Sequence, residues 1–225
     1  METPLPSPSD PSGPSRRWLW PVGLLAAVLL LPELVLTGAD LGLWGRTGWR
    51  AAAYSYLGFW PGLLHGWQPN YAQQPWAMFL GYGLLHAGPE HLAGNLAALV
   101  WLGPLTLTRT GAAGFWTIWG AAWLGGALGF GLLSRQPAPM VGASGALFGL
   151  AAALMVFALR RAPSRRMLGR VLAAVAGLAL LNLAIWWLEA GRLAWQTHLG
   201  GAIAGALVAL ALPMRVQGRF SATRR

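Results

Sequence analysis

The chain has 225 residues, of which 56% are hydrophobic and only 10% are charged, and its formal net charge at pH 7 is +10. Such an apolar composition excludes an ordinary soluble domain, and the absence of cysteine excludes disulfides and thiolate metal sites. All 16 basic residues are arginines that cluster at the ends of apolar runs. This distribution favours membrane topology over a nucleic-acid-binding surface as the source of the charge.

The chain begins with a segment rich in Pro and Ser, residues 1–17, which we expect to be a disordered cytoplasmic tail. It lacks the form of a cleavable signal peptide, so the apolar run that follows is interpreted as a retained helix over about 18–37. The next segment, about 38–85, is too polar and too broken by Gly and Pro to cross a membrane. Its many Trp and Tyr residues favour a long external loop that lies partly in the headgroup zone.

Five further apolar segments are each long enough to cross about 30 Å of hydrocarbon as a helix. The predicted fold is therefore an all-α membrane protein, a bundle of six transmembrane helices over residues 18–213, with a short tail at 214–225. The five later spans are predicted at about 89–108, 113–133, 142–159, 168–188 and 197–212.

The arginines predict how the bundle is oriented. If the N-terminus is cytoplasmic, twelve arginines lie on the cytoplasmic side and four, Arg46, Arg50, Arg135 and Arg192, lie outside. This bias follows the positive-inside rule. We therefore expect both termini in the cytoplasm and the aromatic loop outside.

Polar side chains inside membrane spans are costly and usually functional. Here they occur at the starts of spans two, four and six, which all run from outside to inside in the predicted topology. Their first turns should therefore lie at one depth, below the outer surface. The residues brought to that level are His91, Asn95, Ser144 and His198.

Ser144 is the only serine within a predicted span. A lone serine can simply bond to its own helix, but glycines thin one face of span four and the matching face of span six, allowing close approach. A hydroxyl meeting the His198 imidazole has the nucleophile and base of a hydrolase. His198 could instead be a packing residue or a metal or haem ligand. The glycines in question are Gly142, Gly145, Gly149, Gly201 and Gly205.

His91 and Asn95 are four residues apart and share a helix face. Both can donate hydrogen bonds to a developing oxyanion, although a polar clamp between helices is the alternative. His86 should lie in the loop close above the site. Because no carboxylate completes a triad, the sequence favours a Ser–His dyad, and the histidine spacing excludes an HExxH zinc protease.

In these motifs the chain resembles the rhomboid family of intramembrane serine proteases, over about residues 86–212. The family patterns are H-x4-H-x3-N, GxSG and a histidine followed by small residues in the last helix. The residues that carry the resemblance are His86, His91 and Asn95, then Gly142, Ser144 and Gly145, and finally His198, Gly201 and Gly205.

The resemblance implies Ser144 as nucleophile and His198 as base, with His91, Asn95 and the Ser144 backbone N–H as oxyanion hole. It implies membrane-anchored protein substrates cut near the outer end of a transmembrane segment, in a lipid bilayer, with no cofactor or metal. Oligomeric state stays open. Family members often carry a Trp-Arg pair in the first loop, whereas here Trp76 is followed by Ala77, so we expect that structural contact to be absent or remade.

Two other kinds of membrane protein remain as alternatives. A non-catalytic relative that binds client proteins would be expected to lose Ser144 or His198, and both are present. A small transporter or haem-binding bundle would call for internal repeats or facing histidine pairs. The composition, rich in Ala, Gly and Arg, suggests a bacterial inner-membrane protein.

Overall fold

The computed structural model describes residues 19–213; both predicted tails and Trp18 lie outside this range. Within it the chain forms seven α-helices and no β-strand, apart from one isolated bridge. The bounds are α1 Trp20–Asp40, α2 Trp49–Leu57, α3 Gln74–Gly81, α4 Pro89–Leu133, α5 Ser144–Arg161, α6 Arg165–Leu188 and α7 Trp195–Ala211.

Four of the described helices, α1, α4, α5 and α6, are long and apolar enough to cross a membrane. Helix α7 has 17 residues and, at about 1.5 Å per residue, extends roughly 25 Å. The long predicted loop is partly helical, because α2, α3 and two short 3₁₀ turns occupy it. The protein is therefore an all-helical integral membrane protein.

The second and third predicted spans both lie within α4. Helix α4 covers 45 residues and is interrupted at Gly111, with φ 72° and ψ −179°, between the predicted spans at about 89–108 and 113–133. Glycine adopts a positive φ without steric cost, so one residue can redirect the chain here. Gly111 therefore divides α4 into two arms of more than 20 residues each.

Helices α4, α5 and α7 form the packed centre of the bundle. Glycines line the contact between α5 and α7, where Gly145 and Gly149 face Gly201 and Gly205 backbone to backbone. Such close packing yields many van der Waals contacts without large side chains. Helix α6 lies outside this centre and has no buried residue.

The segment between α1 and α4 is hydrogen-bonded to the chain that leads into α5. Phe59 and Met140 pair through two backbone hydrogen bonds of 3.0 and 2.9 Å. Two residues later, the Gly142 N–H donates to the Tyr82 carbonyl at 3.0 Å. The loop thereby fixes the approach of the chain to Ser144.

A Trp-Arg pair does occur in the same loop, at Trp49 and Arg50, a different position from Trp76 and Ala77. The Arg50 guanidinium donates to Glu33 of α1 at 2.8 and 2.9 Å and to the His86 carbonyl at 2.9 Å. It also bonds to Asp40 at 2.6 Å. Arg50 therefore ties α1 to the loop that precedes α4.

Candidate active site

Ser144 is the first residue of α5, directly after a turn made by Gly142 and Ala143. Gly142 has φ +118°, a conformation that disfavours any side chain. The N–H groups in the first turn of a helix have no partner within the helix. Ser144 therefore combines a hydroxyl with a backbone N–H that is available for an incoming oxygen.

The side chains of Ser144 and His198 are in contact. Ser144 Oγ lies 2.8 Å from His198 Nε2, although 54 residues separate the two in sequence. His198 is buried, and its ring is stacked on Phe148 of α5, with ring centroids 4.2 Å apart and an angle of 8° between planes. The stacking holds the imidazole plane, so that Nε2 faces the hydroxyl.

The other ring nitrogen of His198 has a partner that the sequence analysis missed. Nδ1 lies 2.5 Å from Oδ1 of Asn182, on α6. The amide nitrogen of Asn182 donates to the Leu178 carbonyl at 2.9 Å. The signal was present in the sequence, because Asn182 is the only amide or charged side chain among residues 171–188.

His91 lies directly beside the Gly142 turn. A Cβ built on Gly142 would be only 2.6 Å from Cε1 and 3.0 Å from Nε2 of His91. The Ala87 N–H donates to His91 Nδ1 at 3.3 Å. In the neutral ring the proton then sits on Nε2, so the nitrogen nearer to the Ser144 turn is a donor.

Asn95 is buried one helical turn after His91. Its amide nitrogen donates to the His91 carbonyl at 3.1 Å. An amide nitrogen has two hydrogens, so one remains after this bond. In this structure the described bonds of the Asn95 side chain are made to its own helix.

His86 is fully buried, and its ring meets the His91 ring edge to face with centroids 5.2 Å apart. Its carbonyl accepts bonds from Arg50 and Tyr54, whereas neither ring nitrogen has a hydrogen-bond partner among the described residues. Burial, together with the nearby His91 ring, lowers the pKa of His86 to about 3. His86 therefore supports His91 as a neutral ring.

Two further observations bear on ligands. Within residues 19–213 no cluster of three or more His, Cys, Asp or Glu side chains could hold a metal ion. A mostly apolar cavity of about 590 Å³ lies between α5, α6 and α7, and His198 and Asn182 form part of its wall. His198 thus adjoins space that an apolar chain could fill.

Comparison with known protein families shows to which family the chain belongs. The family model of the Rhomboid domain matches residues 72–215, more than half of the chain, including Ser144 and His198. The chain belongs to the rhomboid family. The resemblance seen in the sequence motifs is thereby confirmed, and rhomboids as a family are intramembrane proteases.

Individual relatives support the same family. Rhomboid protease GluP of Bacillus subtilis is 33% identical over 150 residues, which is 66% of this chain and 28% of that protein. Uncharacterized proteins of Mycobacterium tuberculosis and Mycobacterium bovis are each 38% identical over 137 residues, 57% of this chain. The match covers 56% of each mycobacterial protein, so the chain spans little more than half the length of these relatives.

Proposed function

We propose that this rhomboid is an active intramembrane serine endopeptidase that cleaves membrane-anchored proteins through a Ser144–His198 dyad. The observation that carries the proposal is the 2.8 Å contact between Ser144 Oγ and His198 Nε2 inside a packed helical bundle. A hydroxyl is a weak nucleophile until a neighbouring base takes its proton. An imidazole nitrogen at hydrogen-bond distance meets that requirement.

In the proposed reaction, Ser144 Oγ bonds to the carbonyl carbon of the scissile peptide while His198 Nε2 accepts the hydroxyl proton. The tetrahedral intermediate then collapses, the C–N bond breaks, and the imidazolium returns the proton to the leaving amine. Water then attacks the resulting ester while His198 Nε2 accepts a proton from it. The imidazolium returns this proton to Ser144 Oγ as the ester C–O bond breaks. The products are a new carboxylate and a new amine, and Ser144 is regenerated.

The oxyanion of the intermediate would be held by the Ser144 backbone N–H, His91 Nε2–H and the Asn95 amide. The close approach of His91 to the Gly142 turn supports its role as a donor. The remaining N–H of Asn95 supports a second contribution. Hydrogen-bond donors that are already fixed in position stabilise the oxyanion more than solvent water does, because they need no reorganisation during the reaction.

We also propose that the bundle crosses the membrane six times, through α1, the two arms of α4, and α5, α6 and α7. The arginine distribution supports cytoplasmic termini and an active site near the outer surface. A bacterial inner membrane fits the composition and the bacterial relatives. Substrates would then be membrane-anchored proteins cut near the outer end of a transmembrane segment.

The test is cleavage of a single-span reporter protein by the full chain, purified and reconstituted in liposomes. Wild type should cut the reporter, and Ser144→Ala and His198→Ala should each abolish cleavage while retaining the helical circular dichroism spectrum. Ser55→Ala is a matched control, because the Ser55 hydroxyl bonds only to its own helix, at the Ala51 carbonyl. Cleavage by Ser144→Ala at the wild-type rate would disprove the proposal.

A further inference from the structure

We propose that Asn182 is a positioning residue that holds His198 in the tautomer needed for catalysis, so that α6 supplies a third member of the catalytic group. The inference rests on the proposed function. It adds to the Ser–His dyad a third residue, whose amide does not touch the reacting atoms. Its action is exerted through the opposite nitrogen of the His198 ring.

The direction of the Asn182–His198 hydrogen bond is fixed by a second contact. The Asn182 amide nitrogen donates to the Leu178 carbonyl at 2.9 Å, so the oxygen Oδ1 is the atom that faces His198. An amide oxygen accepts and cannot donate. His198 Nδ1 must therefore carry a proton, and in the neutral ring Nε2 is left unprotonated toward Ser144.

The surroundings leave His198 Nδ1 with little choice of partner. The ring is buried and lies flat against Phe148. The cavity wall beside it is otherwise formed largely by apolar side chains of α5, α6 and α7. Without Asn182 the Nδ1–H would point into an apolar space, which is unfavourable for a polar hydrogen.

The position of Asn182 in α6 is also unusual. No side chain of α6 is buried, and within residues 19–213 the bond to His198 is the only side-chain hydrogen bond from α6 to another helix. One polar contact therefore connects an otherwise loosely packed helix with the catalytic base. Lipid-facing packing alone gives no reason for an amide at this position.

The bond should strengthen during the reaction. When Nε2 takes the proton of Ser144, the ring becomes an imidazolium and the Nδ1–H···Oδ1 bond becomes charge-assisted. An interaction that is stronger in the transition state raises kcat rather than lowering KM. Removing the acceptor should therefore lower kcat at unchanged KM.

The test compares Asn182→Leu, which keeps the side-chain size without the acceptor, with Asn182→Asp, which keeps an acceptor oxygen. Asn182→Leu should lower kcat roughly tenfold, the worth of about one hydrogen bond, with KM unchanged. Asn182→Asp should cleave clearly faster than Asn182→Leu. Leu183→Ala is the control, because it alters the α6 wall of the same cavity while Asn182 is kept.

A second readout follows the proton itself. Nitrogen-15 magnetic resonance of histidine-labelled protein in liposomes, with His198→Gln used to assign the signal, should show His198 protonated at Nδ1 in wild type at pH 8. In Asn182→Leu the Nε2–H tautomer should gain population. A change in helix packing alone would lower activity without moving this signal.

The outcomes separate this proposal from the proposed function. If wild type cleaves the reporter but Asn182→Leu keeps both the wild-type kcat and the Nδ1–H signal, Asn182 has no positioning role. If Leu183→Ala lowers kcat as far as Asn182→Leu, the effect comes from helix placement and the proposal is overturned. If wild type does not cleave, the protease function fails, while the tautomer signal still tests the hydrogen bond.

Discussion

The carbonyl oxygen of Gly145 occupies the place that a Cβ on Gly201 would need. Helices α5 and α7 therefore touch backbone to backbone beside the Ser144–His198 pair. Ser144 precedes Gly145 directly, and His198 lies three residues before Gly201. The distance between the hydroxyl and the imidazole is consequently set by a contact between two residues that have no side chain.

Replacing Gly201 should disturb both stability and activity. In Gly201→Ala the new methyl group meets the backbone of α5, which cannot rotate away as a side chain could. Overpacking of this kind typically costs about 1–3 kcal/mol, and the helices must separate to relieve it. We expect a lower thermal unfolding midpoint in detergent and a large loss of reporter cleavage.

Gly120→Ala is the matched control for this substitution. Gly120 also lies within a helix, but nothing stands within 4 Å of a Cβ built there. Alanine favours the helix over glycine by about 1 kcal/mol, so stability should be unchanged or slightly higher. Equal losses from Gly120→Ala and Gly201→Ala would contradict the tight α5–α7 contact as the cause.

The proposed oxyanion donors should differ in their effect on catalysis. His91→Ala removes the donor beside the Gly142 turn and should lower kcat by about 10²–10³. Asn95→Ala should cost less than loss of Ser144 or His198, because one donor of several is removed. Reporter cleavage at saturating substrate measures both, and His65→Ala is the control, since His65 contacts Gly131 and Arg135 instead. Unchanged kcat in His91→Ala would remove His91 from the site.

Removing Arg50 from its pair with Glu33 should lower stability strongly because Glu33 is buried. The Glu33 side chain is 3% exposed and that of Arg50 is 18% exposed. The hydrogen bond with Glu33 raises the pKa of Arg50, so the arginine stays charged at every accessible pH. Arg50→Met would leave a buried carboxylate unpaired, which typically costs about 3–5 kcal/mol.

A double-mutant cycle separates the pair from its surroundings. Arg50→Met with Glu33→Gln removes both charges and should regain much of the stability lost by Arg50→Met alone, measured by denaturation in micelles. Purely additive losses would mean that Arg50 acts through Asp40 and the His86 carbonyl instead.

His86 should make the folded protein less stable at acidic pH. Its pKa is lowered to about 3 in the fold, chiefly by burial, from an ordinary value of 6.5. Between pH 6.5 and about pH 3, His86 is therefore protonated in the unfolded chain but neutral in the folded chain. Above pH 6.5 His86 does not reduce the free energy of unfolding, and below that value this free energy falls progressively with the pH.

Thermal unfolding midpoints at pH 7.5 and pH 5 measure this effect. The midpoint of wild type should fall between the two values, and His86→Phe, which cannot titrate, should show a smaller drop. An equal drop in both proteins would assign the acid sensitivity to other groups.

Much of the arrangement could be predicted from the residues because membrane burial leaves clear patterns. Apolar runs of sufficient length must be helical, since no water is present to satisfy the backbone. Each predicted span overlaps a described helix, and the non-helical residue Gly111 lies between spans two and three.

The residue types of the candidate site, and the helix face on which each one lies, can be predicted from the residues alone. Ser144, His198 and the glycine faces follow from spacing, because helical periodicity sets which side chains share a side. Which of these helix faces meet depends on the tertiary structure. Spacing within α6 cannot reveal that Asn182 reaches His198, nor can the loop sequence reveal that Arg50 reaches Glu33, because both contacts depend on how separate helices pack.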